Sequence, residues 1–244
     1  YTRWIKEIDQ FVWKPADWDL VVFTAGTSHW KTTYLNFMAN ENWIAWNKAM
    51  YLSIELPPET IKRRFAMQKA GLSKNDLNAW NYWEEQKKIM EEAFDEYDKN
   101  FLLMWVWNKY PDLDAIEKEI LERHTEWYSL FIIDNLWNIE WSGNEFDMQN
   151  KVTNRLQKIK NNNNLCIIIV HHNKKATGSM YTPWWHNMRW SWKILDNATV
   201  VVELYRSWED TMLSQIKDTM WSWSDIKSAD LAYKKWRFTF KEYL

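Results

Sequence analysis

Short apolar runs alternate with longer amphipathic stretches along this 244-residue chain. Leu20–Thr24, Met50–Ile54, Leu130–Ile133, Cys166–Val170 and Thr199–Leu204 are continuous and mostly rich in Val and Ile. Runs of that kind fit strands buried on both faces. Between them, helical patterns cover Lys31–Asn40, Pro58–Lys69, Trp83–Asn100, Leu113–Arg123 and Glu145–Lys160. Pro58 suits a first helical turn, and Asp112 is placed to cap the next helix. Asn161–Asn164 ends a helix and turns into the Cys166 strand. Asn173–Lys193 shows no convincing period and reads as a functional or mobile loop. The alternation predicts an α/β fold with a central, mostly parallel sheet flanked by helices on both faces.

Composition narrows the class. An apolar share of 46% can build a core, which excludes wholesale disorder. The single cysteine, Cys166, excludes a disulfide scaffold and a cysteine-based zinc site. No apolar run reaches the length of a membrane-spanning helix, and no signal-peptide pattern opens the chain. The expectation is one excised domain of a cytoplasmic protein with no membrane partner. A net charge of −2 gives no support to polybasic binding overall, though local basic loops remain open.

The chemistry gathers at the ends of the apolar runs. The first continues into Ala25-Gly26-Thr27-Ser28-His29-Trp30-Lys31-Thr32-Thr33, where a helix begins. A phosphate loop needs a lysine for the β- and γ-phosphates and a hydroxyl for Mg²⁺. It also needs backbone N–H groups converging at a helix N-terminus. Lys31 and Thr32 meet the first two requirements, but Trp30 stands where the tight backbone curl asks for glycine. The plain alternative is a polar turn that happens to contain Lys-Thr. Tyr51-Leu52-Ser53-Ile54-Glu55-Leu56 ends the second run in a carboxylate. Leu130–Ile133 ends in Asp134, the form that holds Mg²⁺ through water. Ile167–Val170 ends in His171-His172. One polar residue at a strand end is usually just solvated. Four in order lie on the side where α/β sheets bind ligands.

These residues resemble the RecA-like motor domain of DnaB-type hexameric replicative helicases, phage primase–helicases and plasmid RepA-type helicases. The resemblance runs from about Thr2 to Phe240. Thr2–Asp9 is similar to the family's "TGIxxLD" opening segment, and Ser53-Ile54-Glu55-Leu56 to "SLEM". Arg189-Trp190-Ser191-Trp192 resembles "RGSG", and Leu204-Tyr205-Arg206 resembles "LYR". The resemblance implies a RecA-like P-loop ATPase over residues 1–244 that uses ATP and Mg²⁺. Lys31 and the amides of Ala25 to Thr33 would bind the phosphates. Thr32 and Asp134 would hold the metal. Glu55 would act as general base, and His171 as the sensor of the γ-phosphate. Lys174, Lys175, Arg189 and Lys193 would lie near single-stranded DNA. It also implies a homo-oligomer, a hexamer in this family, in the cytoplasm of a bacterial or phage-infected cell. Primase or loader contacts would run through an N-terminal region not present here. One departure concerns the family's Lys-x-Arg, which reaches a neighbouring subunit's ATP. Lys217-Asp218-Thr219 keeps the lysine and lacks the arginine, leaving Arg206 or Arg237 as trans-acting candidates. That departure keeps open a non-translocating RecA-like ATPase, of the circadian-clock or recombination-mediator kind.

The chain carries 21 Trp and only 4 Gly. Average glycine usage would give about 17 in this length. Trp4, Trp13, Trp18, Trp30, Trp190, Trp192 and Trp236 fall where the family tends to have glycine, and Trp46 and Trp127 sit at turn-like positions. Lys, Asn and Ile are abundant, as AT-rich codons produce. UGA is read as glycine in some bacterial lineages and as tryptophan in others. A glycine-reading gene translated with the other table would yield this pattern. Trp80, Trp185 and Trp208 offer no such rationale and are expected to be genuine. If Trp30 is genuine as well, the phosphate cradle is blocked and the ATPase dead. An aromatic-rich single-strand binder is a further reading, since stacked Trp can hold bases.

Overall fold

The computed structural model describes residues 18–25, 31–44, 48–100, 102–105, 111–135, 139, 144–172, 192–206, 211–218, 227–234 and 237–240. The elements in order are β1 (Leu20–Ala25), α1 (Lys31–Ile44), β2 (Lys48–Ser53), α2 (Pro58–Ala70), α3 (Lys74–Asn78), α4 (Glu84–Asn100), β3 (Leu102–Trp105) and α5 (Leu113–Thr125). They continue with β4 (Tyr128–Asp134), α6 (Glu145–Asn163), β5 (Cys166–His172), α7 (Trp192–Asn197), β6 (Val200–Arg206), β7 (Thr211–Asp218), β8 (Lys227–Lys234) and β9 (Arg237–Phe240).

Among the described residues, nine strands form one sheet in the order β3-β2-β4-β5-β1-β6-β7-β8-β9. From β3 to β6 every pairing is parallel, and from β6 to β9 every pairing is antiparallel. The parallel part carries the apolar runs because helices cover both of its faces. On one face Val21, Phe23, Tyr51, Ile132 and Ile168 pack with Tyr34 and Leu35 of α1, Ile61 and Phe65 of α2, and Tyr97 of α4. On the other, Val22, Met50, Ile133 and Ile169 pack with Ile116 and Ile120 of α5, and Val152 and Leu156 of α6. Tyr34 stacks on Phe23 with ring centroids 5.4 Å apart, fixing the first turn of α1 against β1.

Helix ends follow the local chemistry. Asp112 accepts a 2.7 Å hydrogen bond from the Ala115 N–H, capping α5. Asn144 does the same for α6 through the Asp147 N–H. Four residues adopt the left-handed conformation just past a helix: Gly71 (φ 68°), Trp80 (φ 54°), Trp127 (φ 70°) and Asn164 (φ 54°). The Trp127 N–H donates to His124 O and the Gly71 N–H to Gln68 O, the same closure by very different residues. Glycine or asparagine is the ordinary occupant of that position. Trp18, just before β1, is also left-handed at φ 66°. The indoles bury little in exchange: Trp80 and Trp127 are 80% and 84% exposed, Trp80 stacking on Tyr82. Trp80 therefore has a backbone rationale for glycine that the sequence did not offer, a positive φ just past a helix as at Trp127. Trp185 and Trp208 lie outside the described residues.

Candidate functional site

β1, β5, β4 and β2 are neighbours, and their C-terminal ends lie along one edge of the sheet. The chain leaves β1 through α1 and crosses over β5 and β4 to reach β2, so this edge includes a crossover point where α/β sheets place ligands. Ala25 ends β1 and is fully buried. Gly26, Thr27, Ser28, His29 and Trp30 lie outside the described residues. Lys31, Thr32 and Thr33 form the first turn of α1.

Asp134 ends β4 and is 1% exposed. Two hydroxyls converge on its Oδ2: Thr32 Oγ1 donates at 3.3 Å and the Tyr51 hydroxyl at 2.5 Å. Lys31 is also buried, and its pKa is lowered to about 8. Burial is the main cause, partly countered by the negative charges of Asp134 and Glu55. A buried ammonium destabilised in this way gains from an incoming anion, which returns a counter-charge in place of lost water.

Glu55 is positioned by its neighbours. Ser53 is buried at the end of β2, and its Oγ donates to Leu56 O at 2.6 Å and accepts from Leu56 N–H at 3.2 Å. That closes the 53–56 turn. The N–H groups of Ile54 and Glu55 both donate to Asp134 O, at 2.7 and 3.3 Å, tying the turn to the end of β4. Asn135 Nδ2 then donates to Glu55 Oε2 at 2.7 Å. Glu55 itself is exposed, facing solvent beside a buried cluster. A carboxylate held in that manner can accept a proton from water.

His171 sits at the end of β5, in register with Thr24 of β1, and Thr24 is in register with Glu203 of β6. All three are buried. The structure thus brings Lys31, Thr32, Glu55 and Asp134 together, and places His171 on the adjacent strand. Tyr51, Asn135 and Glu203 were missed in the sequence. A tyrosine within an apolar strand was a usable signal for the first, and an amide following Asp134 for the second.

Other expected residues are placed only by backbone or not at all. Arg206 ends β6, Lys217 lies on β7 and Arg237 opens β9. Lys174, Lys175 and Arg189 lie outside the described residues. Lys193 is a correction: it belongs to α7 rather than to a loop. An open cleft of about 470 Å³ between α5 and α6, lined by Glu117, Lys151, Arg155 and Lys158, shares no residue with the sheet edge. Among the described residues no helix is long and apolar enough to cross a membrane. None of the described His, Cys, Asp and Glu residues gather into a group of three or more able to hold a metal.

A sheet with this strand order, parallel from β3 to β6 and flanked by helices, has the RecA-like fold. Residues 3–237 match the family described as DnaB-like helicase C terminal domain, and the chain belongs to that family. Among solved structures it is similar to one described as an ATPase domain, with a TM-score of 0.81 at 14% identity, covering 97% of this chain and 89% of that one. It is also similar to a DnaB-like replicative helicase whose structure was described with its interactions with primase. There the TM-score is 0.82 at 15% identity, covering 97% of this chain and 62% of the other, so this chain spans less than two thirds of that protein. No curated protein sequence matches.

Proposed function

We propose that this chain is the ATP-hydrolysing motor of a replicative DNA helicase, working at subunit interfaces to translocate on single-stranded DNA. The observation that carries the reading is the convergence of Thr32 and Tyr51 on Asp134, with Lys31 and Glu55 beside it. Lys31 and the amides of the 25–33 segment bind the phosphates. Thr32 and Asp134 fit magnesium, because a hydroxyl and a carboxylate oxygen are hard donors, and these two residues would hold it. When bound, the metal supplies charge neutralisation on the phosphate oxygens. Glu55, steadied by Asn135, orients a water and takes its proton as it attacks the γ-phosphate. His171 relays the state of the phosphates to the segment beyond β5. There Lys174, Lys175, Arg189 and Lys193 contact the DNA backbone, and Lys217, Arg206 or Arg237 reach a neighbouring subunit of a hexamer. A primase or loader would dock through the N-terminal region of the longer protein.

The protein made in its own cell carries glycine at the UGA-encoded positions. Three tryptophans in the left-handed conformation support this, since a residue with a Cβ pays about 1–2 kcal/mol there. Trp80 joins the set, and Trp30 becomes the glycine that the phosphate loop requires. Sequencing the gene tests the point: UGG at Trp30, Trp80 and Trp127 would overturn it. ATP turnover by the glycine form, dependent on Mg²⁺ and stimulated by single-stranded DNA, tests the motor. A second reading, a switch-like RecA-type ATPase that does not translocate, draws on Lys217-Asp218-Thr219, where the family's arginine is lacking.

A further inference from the structure

Tyr51 is fully buried in the sheet beneath the candidate site, and its hydroxyl is 2.5 Å from Asp134 Oδ2. We propose that Tyr51 is the positioning residue for the metal-holding carboxylate, fixing the orientation in which Asp134 meets a divalent cation and its water shell. The assignment rests on the reading of Thr32 and Asp134 as the metal site.

The geometry separates the two hydroxyls that share Oδ2. Thr32 lies on the first turn of α1, half-buried, on the side where nucleotide would arrive. Its oxygen can offer a lone pair to a cation while its hydrogen stays on Asp134. Tyr51 comes from β2, the strand beside β4, and its ring sits in the core with Phe23, Tyr34 and Tyr97. It has no exposed surface to offer a cation. What it offers is a short hydrogen bond to a charged acceptor, a strong kind of neutral-donor contact. The charged and titratable groups around the pair are Lys31 on α1, Glu55 after β2 and Tyr97 on α4. The phenol donates and the carboxylate accepts, since an ionised carboxylate has no hydrogen to give. A carboxylate on a β-strand end can turn about its side-chain bonds. One anchored on Oδ2 by Tyr51, where it also meets Thr32 of α1, is held in one orientation. Holding a ligand with a hydrogen bond from behind is how protein metal sites gain affinity without adding ligands, and loss of such a partner typically costs about 10- to 100-fold in metal affinity.

The test compares wild type, Tyr51→Phe, and protein with 3-fluorotyrosine at position 51. Mn²⁺ serves as the probe, titrated in the presence of ADP and followed by electron paramagnetic resonance. ADP binding is measured separately in EDTA. Tyr51→Phe should bind Mn²⁺ with ADP roughly 10-fold or more weakly, and ADP in EDTA as wild type does. A packing defect would weaken both. In the fluorotyrosine protein, which keeps the hydroxyl, Mn²⁺ affinity should be retained and the fluorine resonance should shift when diamagnetic Mg²⁺ joins ADP. Unchanged Mn²⁺ affinity in Tyr51→Phe would overturn the assignment. If that variant does not fold, a fluorine resonance indifferent to Mg²⁺ would do so. Wild-type protein that binds ADP but no Mn²⁺ would overturn the metal site itself, and this assignment with it.

Discussion

Asn135 Nδ2 donates a 2.7 Å hydrogen bond to Glu55 Oε2, joining residues 80 positions apart. The contact exists because β2 and β4 are parallel neighbours whose ends coincide, Ser53 pairing with Asp134. It gives Glu55 a fixed oxygen. Glu55→Gln should lower ATP turnover by about 10²–10⁴-fold, the usual worth of a general base, with nucleotide affinity kept. Asn135→Ala should leave the base in place but loosen it, at a cost of roughly 10- to 100-fold in turnover. Single-turnover ATP hydrolysis beside equilibrium nucleotide binding checks both. Undiminished hydrolysis by Glu55→Gln would move the base elsewhere.

Lys31 sets a pH limit on binding. Its pKa of about 8 in the unliganded fold means that it loses its proton above that pH, and burial is the chief reason. A bound phosphate favours the charged form and pulls the pKa back up. Binding above about pH 8 must therefore take up a proton, and affinity falls as pH rises. Below that pH the lysine is already charged and affinity is flat. Nucleotide titrations in EDTA between about pH 7 and pH 10 measure this directly. An affinity independent of pH across that range would contradict the placement of Lys31 against phosphate.

Trp127 offers a stability test free of any assumption about activity. Its φ of 70° belongs to a helix C-terminus that glycine fits. Trp127→Gly should be more stable than Trp127→Ala by about 1 kcal/mol, because alanine keeps the Cβ that the left-handed conformation penalises. The same order should hold at Trp80. Thermal unfolding of the four variants decides it, and alanine equal to or better than glycine at both positions would count against the requirement.

The five central strands were legible because strands buried on both faces must be apolar throughout, as Ile167–Val170 are. The cap at Asp112 was legible from residue type alone. β3 (Leu102–Trp105) was missed although it lies in a continuous apolar run, Phe101–Trp107. β7 to β9 were missed because antiparallel strands tolerate polar residues, and Thr-Met-Leu-Ser-Gln-Ile-Lys-Asp carries no continuous apolar run. Lys31, Thr32, Glu55 and Asp134 could be named from their motifs. The contacts that hold them, from Tyr51, Ser53 and Asn135, depend on which strands are neighbours. Strand order is a property of the whole fold and no local pattern states it. The glycine-like backbone at Trp80 was not legible for a similar reason: the short helix α3 that makes it a terminus was not seen.

Lys174 and Lys175 carry the DNA prediction. Changing both to alanine should weaken single-strand binding and reduce the salt slope of log affinity by about 1.4 if each meets one phosphate. Fluorescence anisotropy with an oligonucleotide at several salt concentrations checks this. An unchanged slope would place the DNA path elsewhere.

The most direct test of the motor is strand displacement on a forked DNA duplex, using protein with glycine at the positions proposed to be UGA-encoded. Displacement that needs both ATP and Mg²⁺, and that Glu55→Gln abolishes, is the predicted result. ATP hydrolysis that proceeds at full rate while the fork stays paired would contradict the helicase reading and leave a switch-like ATPase in its place.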